Sequence, residues 1–245
     1  MSHTRIALVT GANRGIGLET SRQLAAQGVT VLMGGRKKAS IETAAATLRA
    51  EGHDVHPVVL DVTRAEDIEA VRAHVAATYG RLDILVNNAG IIADPGGFAP
   101  TTLTVTPAQL RESFEVNVIG PVAIVQAFMP LLKAAPAARI VNLSSILASM
   151  AEHSNPSSPW AGVAPLAYDA SKTALNQFTV HLAAALRGTP IKVNSAHPGW
   201  VKTDMGSEAA PMEVVDGAKT SVALALLSDE GPSGRFIHLG EEVAW

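Results

Sequence analysis

Tyr168 and Lys172 stand four positions apart in Tyr168-Asp169-Ala170-Ser171-Lys172. On a helix this separation places both side chains on one face, one turn apart. An ammonium so placed stabilises a phenolate, and the phenol is expected to move from its usual pKa of about 10 toward neutrality. A tyrosine tuned in this way gives a proton to a carbonyl oxygen or takes one from an alcohol. Tyr-x-x-x-Lys also arises by chance as an exposed stack, so the meaning of the pair depends on what lies upstream.

Upstream, Thr10-Gly11-Ala12-Asn13-Arg14-Gly15-Ile16-Gly17 joins an apolar run to a helical pattern. Glycines there let the backbone approach a pyrophosphate, while the start of the following helix offers free N–H donors and partial positive charge. The spacing differs from Gly-x-Gly-x-x-Gly, but its place at the first strand–helix junction points to a dinucleotide. An NAD site carries an acidic residue near the end of the second strand. Here the chain reads Met33-Gly34-Gly35-Arg36-Lys37-Lys38, with three cations and no carboxylate. Arg36, faced by Arg14 from the glycine turn, is expected to grip a 2′-phosphate through its planar fork, so NADP(H) is predicted over NAD(H). Lys37 and Lys38 read better as a solvated basic loop.

The elements that must position these residues alternate regularly. Apolar runs at Ile6–Thr10, Val29–Met33, Val55–Leu60, Ile84–Asn87, Arg139–Leu143, Ile191–Ala196 and Phe236–Leu239 read as strands. Between them lie helical patterns at Gly15–Gln27, Ser40–Ala50, Ala65–Tyr79, Pro107–Lys133, Tyr168–Leu186 and Glu213–Leu227. Strands without polar alternation suit a parallel sheet covered on both faces. The predicted fold is a single-domain α/β Rossmann-type, doubly wound, seven-stranded parallel sheet with helices on both faces, spanning 1–245. Stretches 91–106, 146–167 and 199–212 break the rhythm after strands. They are expected at the carboxyl edge of the sheet as substrate loops.

The totals narrow the function classes. The 245 residues carry a net charge of −3 without a dense basic segment, so the footprint of a nucleic-acid binder is missing. There is no cysteine, which removes disulfides and thiolate chemistry and suits a reducing compartment. The apolar run after the first five residues is too short for a signal core or a membrane span. A cytoplasmic protein without membrane or nucleic-acid partners is expected. His53 and His56 lack a third ligand nearby, and no metal is expected.

With these motifs together, the chain resembles the short-chain dehydrogenase/reductase family almost from end to end. The resemblance rests on the Thr10–Gly17 turn, Leu60-Asp61-Val62, Asn87-Asn88-Ala89-Gly90, Asn117 in Phe114-Glu115-Val116-Asn117-Val118, Ser144-Ser145, Tyr168/Lys172 and His197-Pro198-Gly199-Trp200-Val201-Lys202-Thr203-Asp204. The last phrase, with Gly234-Arg235-Phe236 and Ala244-Trp245, resembles the NADPH-dependent carbonyl reductases of that family. The resemblance implies a catalytic tetrad of Asn117, Ser145, Tyr168 and Lys172. Tyr168 would be the acid or base, Ser145 would bind the substrate oxygen, Lys172 would hold the nicotinamide ribose and acidify Tyr168, and Asn117 would hold a relay water. Ser144 is the rival for the serine role, since Ala148 stands where the family's pattern has glycine three places after Ser145.

The same resemblance implies the cofactor contacts. Gly11, Asn13, Arg14, Gly15, Ile16 and Gly17 would surround the phosphates. Arg36 would bind the 2′-phosphate, and Asp61 and Val62 would flank the adenine. Asn88, Ala89 and Gly90 would pass a ribose. Pro198, Gly199, Val201 and Thr203 would orient the nicotinamide beside Tyr168 and Lys172. Ile91, Ile92, Phe98, Trp160 and Trp200 suggest an apolar pocket for a small hydrophobic carbonyl or alcohol. Family members often pair through helices matching Pro107–Lys133 and Tyr168–Leu186, which implies a homodimer or homotetramer. The other functions weighed are a non-catalytic NADP(H)-binding sensor or scaffold, a nucleotide-sugar epimerase, which the chain is too short to match, and a Ser145/His197/Asp204 hydrolase. The hydrolase lacks its Gly-x-Ser-x-Gly elbow.

Overall fold

The computed structural model describes residues 4–245. Its strands are β1 (Ile6–Val9), β2 (Thr30–Gly35), β3 (Val55–Val59), β4 (Ile84–Asn87), β5 (Arg139–Leu143), β6 (Lys192–Ala196), β7 (Phe236–His238) and β8 (Glu241–Glu242). They form one sheet in the order β3-β2-β1-β4-β5-β6-β7-β8. The first seven strands run parallel, as the apolar runs predict. The eighth was not expected. Leu239 and Gly240 both take positive φ, 47° and 91°, and this two-residue turn folds the tail back antiparallel onto β7. At the opposite edge β3 contains Pro57, which an edge strand tolerates because one side of it needs no ladder donor.

Successive residues of a strand face opposite sides, and both sides here are covered. Leu8, Leu32, Leu85 and Ile140 pack on one face against Val71, Ile124 and Phe128. Ala7, Val9, Met33 and Val86 pack on the other against Leu24, Ile41 and Leu224. The helices supplying these contacts are α1 (Gly15–Ala26), α2 (Lys38–Ala50), α3 (Ala65–Tyr79), α5 (Gly120–Ala134) and α8 (Val214–Ala225). The chain reverses its direction across the sheet between β1 and β4, where folds of this type open a ligand crevice.

The predicted helix Pro107–Lys133 is interrupted. Thr106 and Gln109 form a capping box that starts α4 (Pro107–Phe114), and a π-helical turn, Glu115–Ile119, precedes α5. Pro121 has no N–H to give the carbonyl four residues back, that of Asn117, and its ring crowds that carbonyl, so the helix widens there. Pro107–Ala134 is long and apolar enough by composition to cross a membrane, yet Ile124, Val125, Phe128 and Leu132 lie buried in the core. The 146–167 stretch, read as a loop, contains a short 3-10 turn (Ile146–Ala148) and α6 (Met150–Ser154). The helix bearing Tyr168, α7 (Leu166–Ala185), begins two residues earlier than predicted.

Candidate active site

Ser145 ends the link from β5, where its hydroxyl caps the short 3-10 turn by accepting from the Leu147 N–H at 3.2 Å. It faces the Tyr168 phenol on the first turn of α7 and stabilises the phenolate form. Ser144 points elsewhere. Its hydroxyl is buried without a hydrogen-bond partner, and its N–H donates to Ala196, closing the β5–β6 ladder. Lys172 lies one turn below Tyr168, its Nζ 5.7 Å from the ring centroid, and donates to the carbonyl of Leu143 at 2.7 Å. An ammonium has three donors, so this bond steadies the group and leaves two free.

Asn117 is brought beside them by the widened turn, but its side chain is already engaged. Its amide donates to Ile91 O and Ser171 Oγ, both at 2.9 Å, and its carbonyl oxygen accepts from Ile91 N. A water relay through this side chain is therefore not what the geometry provides. Pro121 has no N–H to give the main-chain carbonyl of Asn117, four residues back.

The expected acidification of Tyr168 is also not found. Desolvation pushes the phenol up to about 12; the hydrogen bond from Ser145 opposes this, while the negative charge of Asp169 adds to it. Burial likewise pushes Lys172 down to about 8. The pair has the predicted spacing, but burial is the largest influence on both groups. Asp169, beside the tyrosine, is itself pushed up to about 8 by burial and by the charge of Asp94.

The glycine turn fits a dinucleotide pyrophosphate. Gly11 and Gly15 take φ of +63° and +54°, which disfavour any side chain. A Cβ on Gly17 would come within 2.4 Å of both Gly11 O and Asn88 Nδ2. Asn88 holds this turn closed by donating to Thr10 O at 2.8 Å and Gly11 O at 3.1 Å. Helix α1 begins with no side-chain cap and no acidic residue in its first turn, so its leading N–H groups and dipole face the crevice. Asn13 turns aside to donate to Ser40 at 3.0 Å.

The two expected phosphate-binding arginines part company. Arg14 pairs with Asp204 of the 199–212 loop rather than facing Arg36. Arg36 lies exposed at the end of β2, where it and Arg64 lower the Asp61 carboxyl. Burial alone would raise Asp61; the Thr63 N–H and hydroxyl on one carboxylate oxygen, together with these arginines, reverse the sign. The 199–212 loop reaches back over the glycine turn. A Cβ on Gly15 would lie 3.4 Å from the Thr203 methyl group. Val201 instead turns inward against α8 at Gly217, so only its backbone can serve a ligand. Trp200 donates to Gly206 O at 2.7 Å and ties the loop to itself.

The 91–106 loop brings Phe98 edge-on to the Tyr168 ring, with centroids 6.4 Å apart and planes at 88°. His153 hydrogen-bonds Leu147 O at 3.0 Å, holding α6 against the serine turn. His53 and His56 pair with the nearby acids Glu51 and Asp54. No group able to hold a metal occurs among the described residues. A buried polar feature escaped sequence reasoning. Asn87 donates to Asn142, and Asn142 to Thr179, each at 2.8 Å, forming a polar chain beneath the site. His197 accepts from Ile146 N at 3.1 Å and Gly199 N at 3.3 Å, and burial pushes it down to about 3, so it is a neutral acceptor joining the ends of β5 and β6. Asparagines within the strands were the available signal for the polar chain.

This fold matches known proteins. The short chain dehydrogenase family model matches residues 5–214, and the chain belongs to that family. It is 34% identical to (+)-neomenthol dehydrogenase from Arabidopsis thaliana and 31% identical to (-)-isopiperitenone reductase from Mentha piperita, with 95% of both chains covered in each case. An NADPH-bound carbonyl reductase from chicken fatty liver superposes with a TM-score of 0.85 and 32% identity, over 100% of both chains.

Proposed function

We propose that this chain is an NADP(H)-dependent oxidoreductase that reduces a small hydrophobic carbonyl: an aldehyde, ketone, quinone or enone. The observation that carries this reading is the convergence of Ser145, Tyr168 and Lys172, with Lys172 against Gly90, two residues on from the Asn88 that closes the glycine turn. When bound, the reduced nicotinamide supplies a hydride. Ser145 and Tyr168 would both donate to the substrate oxygen and hold it in reach. Tyr168 would then release its proton to that oxygen as negative charge develops there. A phenol at about 12 suffices, since an alkoxide is a base comparable to hydroxide, whose conjugate acid has a pKa of about 15.7. The same value leaves little phenolate at neutral pH in the free protein.

Lys172 would offer its two remaining donors to the nicotinamide ribose, and the Asn117 main-chain carbonyl would hold the water that restores the proton. The Gly11–Gly17 turn would bind the pyrophosphate, Arg36 the 2′-phosphate, and the second oxygen of Asp61 the adenine amine. Gly199 and the backbone around Val201 would orient the nicotinamide. Phe98, Ile91 and Trp200 give the 91–106 and 199–212 loops an apolar character, and the names of the two plant relatives point toward the same kind of substrate. A carbonyl panel assayed with NADPH and NADH tests the reading. Turnover with NADPH that disappears in Tyr168→Phe, while NADPH fluorescence enhancement persists, is expected. A panel that yields none, with NADPH still bound, would favour a sensor.

A further inference from the structure

The start of α7 has no cap of its own. The residue before it is Pro165, which provides no side-chain acceptor. The leading N–H groups of a helix need partners, above all where they are buried. Here all three come from the 91–106 loop. Leu166 N donates to Thr101 Oγ1 at 2.9 Å, Ala167 N to Asp94 Oδ1 at 3.0 Å, and Tyr168 N to Asp94 Oδ2 at 2.9 Å. Thr101 in turn donates to Asp94 Oδ1 at 2.6 Å, and its own N–H donates to Ala164 O at 3.0 Å. Asp94 and Thr101 are both buried.

We propose that Asp94 is a positioning residue for Tyr168: through its two carboxylate oxygens the substrate loop sets where the phenol stands. The bond is to the tyrosine's own main chain. It is charge-assisted, and it places a carboxylate at the positive end of the helix, so it is stronger than an ordinary turn contact. The loop also grips the other end of the residue. Gly96 and Gly97, at φ +78° and +68°, swing the chain so that Phe98 meets the Tyr168 ring edge-on. Backbone and ring of one residue are thus held by one loop, from positions far away in sequence. A substrate that moves the 91–106 loop moves the acid with it, and chain length alone does not show this link.

This inference rests on the reductase reading, and the test separates the two. Asp94→Ala, Asp94→Asn and Thr101→Val are compared with wild type in kcat, KM, NADPH affinity by fluorescence, and amide hydrogen exchange of Leu166–Asp169. Misplacing a reacting group by about 1 Å costs on the order of 100-fold in rate. Asp94→Ala is expected to lower kcat about 10- to 100-fold while NADPH affinity stays within about twofold. Asp94→Asn should recover part of the loss, because its one carbonyl oxygen still accepts from Tyr168 N. Exchange should speed up in Leu166–Asp169 and not in α1.

An unchanged kcat in a folded Asp94→Ala protein would overturn the proposal. So would a loss not relieved at all in Asp94→Asn, or a fall in kcat matched by an equal fall in NADPH affinity. If Asp94→Ala does not fold, Asp94→Asn and Thr101→Val are judged by kcat and NADPH affinity against wild type. Should wild type reduce no carbonyl, the reductase reading fails, and the exchange measurement alone decides: unaltered protection of Leu166–Asp169 then sinks the positioning role.

Discussion

The ammonium of Lys172 rests against the bare α-carbon of Gly90: a side-chain carbon there would lie 3.2 Å from Nζ and 3.3 Å from Asn117 Oδ1. Two members of the candidate tetrad therefore share the space that one absent methyl group leaves open. Gly90 needs no unusual backbone angle, so its requirement is room.

Gly90→Ala is accordingly expected to act on chemistry more than on folding. The methyl would displace Lys172 by a few tenths of an ångström from its bond to Leu143 O. We expect kcat to fall by about tenfold, and Tm to fall by no more than a few degrees, overpacking typically costing about 1–3 kcal/mol. Steady-state rates set beside thermal melts would check this, and a variant with full kcat would contradict it.

Two pH profiles should differ. Lys172 is charged below about 8 and neutral above it in the free protein, so kcat/KM for reduction should decline as pH rises through that value. Tyr168 must lose its proton to act in alcohol oxidation, and its raised pKa, about 12, keeps that rate climbing into the alkaline range. Initial rates from pH 6 to about 10 in both directions provide the test. A reduction profile flat to the alkaline limit would remove Lys172 from its role.

Cofactor selectivity should rest on one arginine. Arg36→Glu is expected to weaken NADPH at least about tenfold and to narrow or invert its advantage over NADH, since a charge-assisted pair is replaced by repulsion. Arg14→Ala should matter less, because Arg14 is already paired with Asp204 at an exposed site where such pairs contribute little. Equal sensitivity of the two arginines in kcat/KM would refute this division.

Asp169 should make stability depend on pH. The folded protein keeps its carboxyl protonated to about 8, whereas the unfolded chain releases that proton near 3.8. Between those values the folded state binds the extra proton, so this group's contribution falls as pH rises. His197, held near 3 against an ordinary 6.5, works in the opposite sense below 6.5. Asp169→Asn should therefore melt like wild type near pH 4 and a few degrees higher near pH 7.5. A difference in Tm independent of pH would be inconsistent with it.

The sheet was legible because its strands are buried on both faces. Runs such as Ile6–Val9 and Ile84–Asn87 therefore need no alternation, and the junctions between elements carry glycine. What could not be read depends on contacts distant in sequence. Helix α7 begins at Leu166 because acceptors arrive from Asp94 and Thr101, which no local pattern announces. Tyr168 and Lys172 have the expected spacing, yet their protonation is decided by depth beneath the surface, which spacing does not encode. Arg14 reads as a phosphate ligand from its charge and its place in the glycine turn, but its partner Asp204 lies on a loop that folds back over it. The antiparallel β8 hangs on a two-residue turn lacking an Asn-Gly signature.

The polar chain from Asn87 through Asn142 to Thr179, joined by Ser195 at 2.9 Å, ties three neighbouring strands to the helix that bears Tyr168. Replacing Asn142 by an aliphatic residue leaves the Asn87 amide without its acceptor, and replacing Thr179 leaves the Asn142 amide and the Ser195 hydroxyl without theirs, in a dry place. Engineers seeking new substrates thus have freedom at the rim, in the loops, but not at the floor. At Asn142 and Thr179, compatible changes arrive as matched sets, which a library varied one position at a time does not sample.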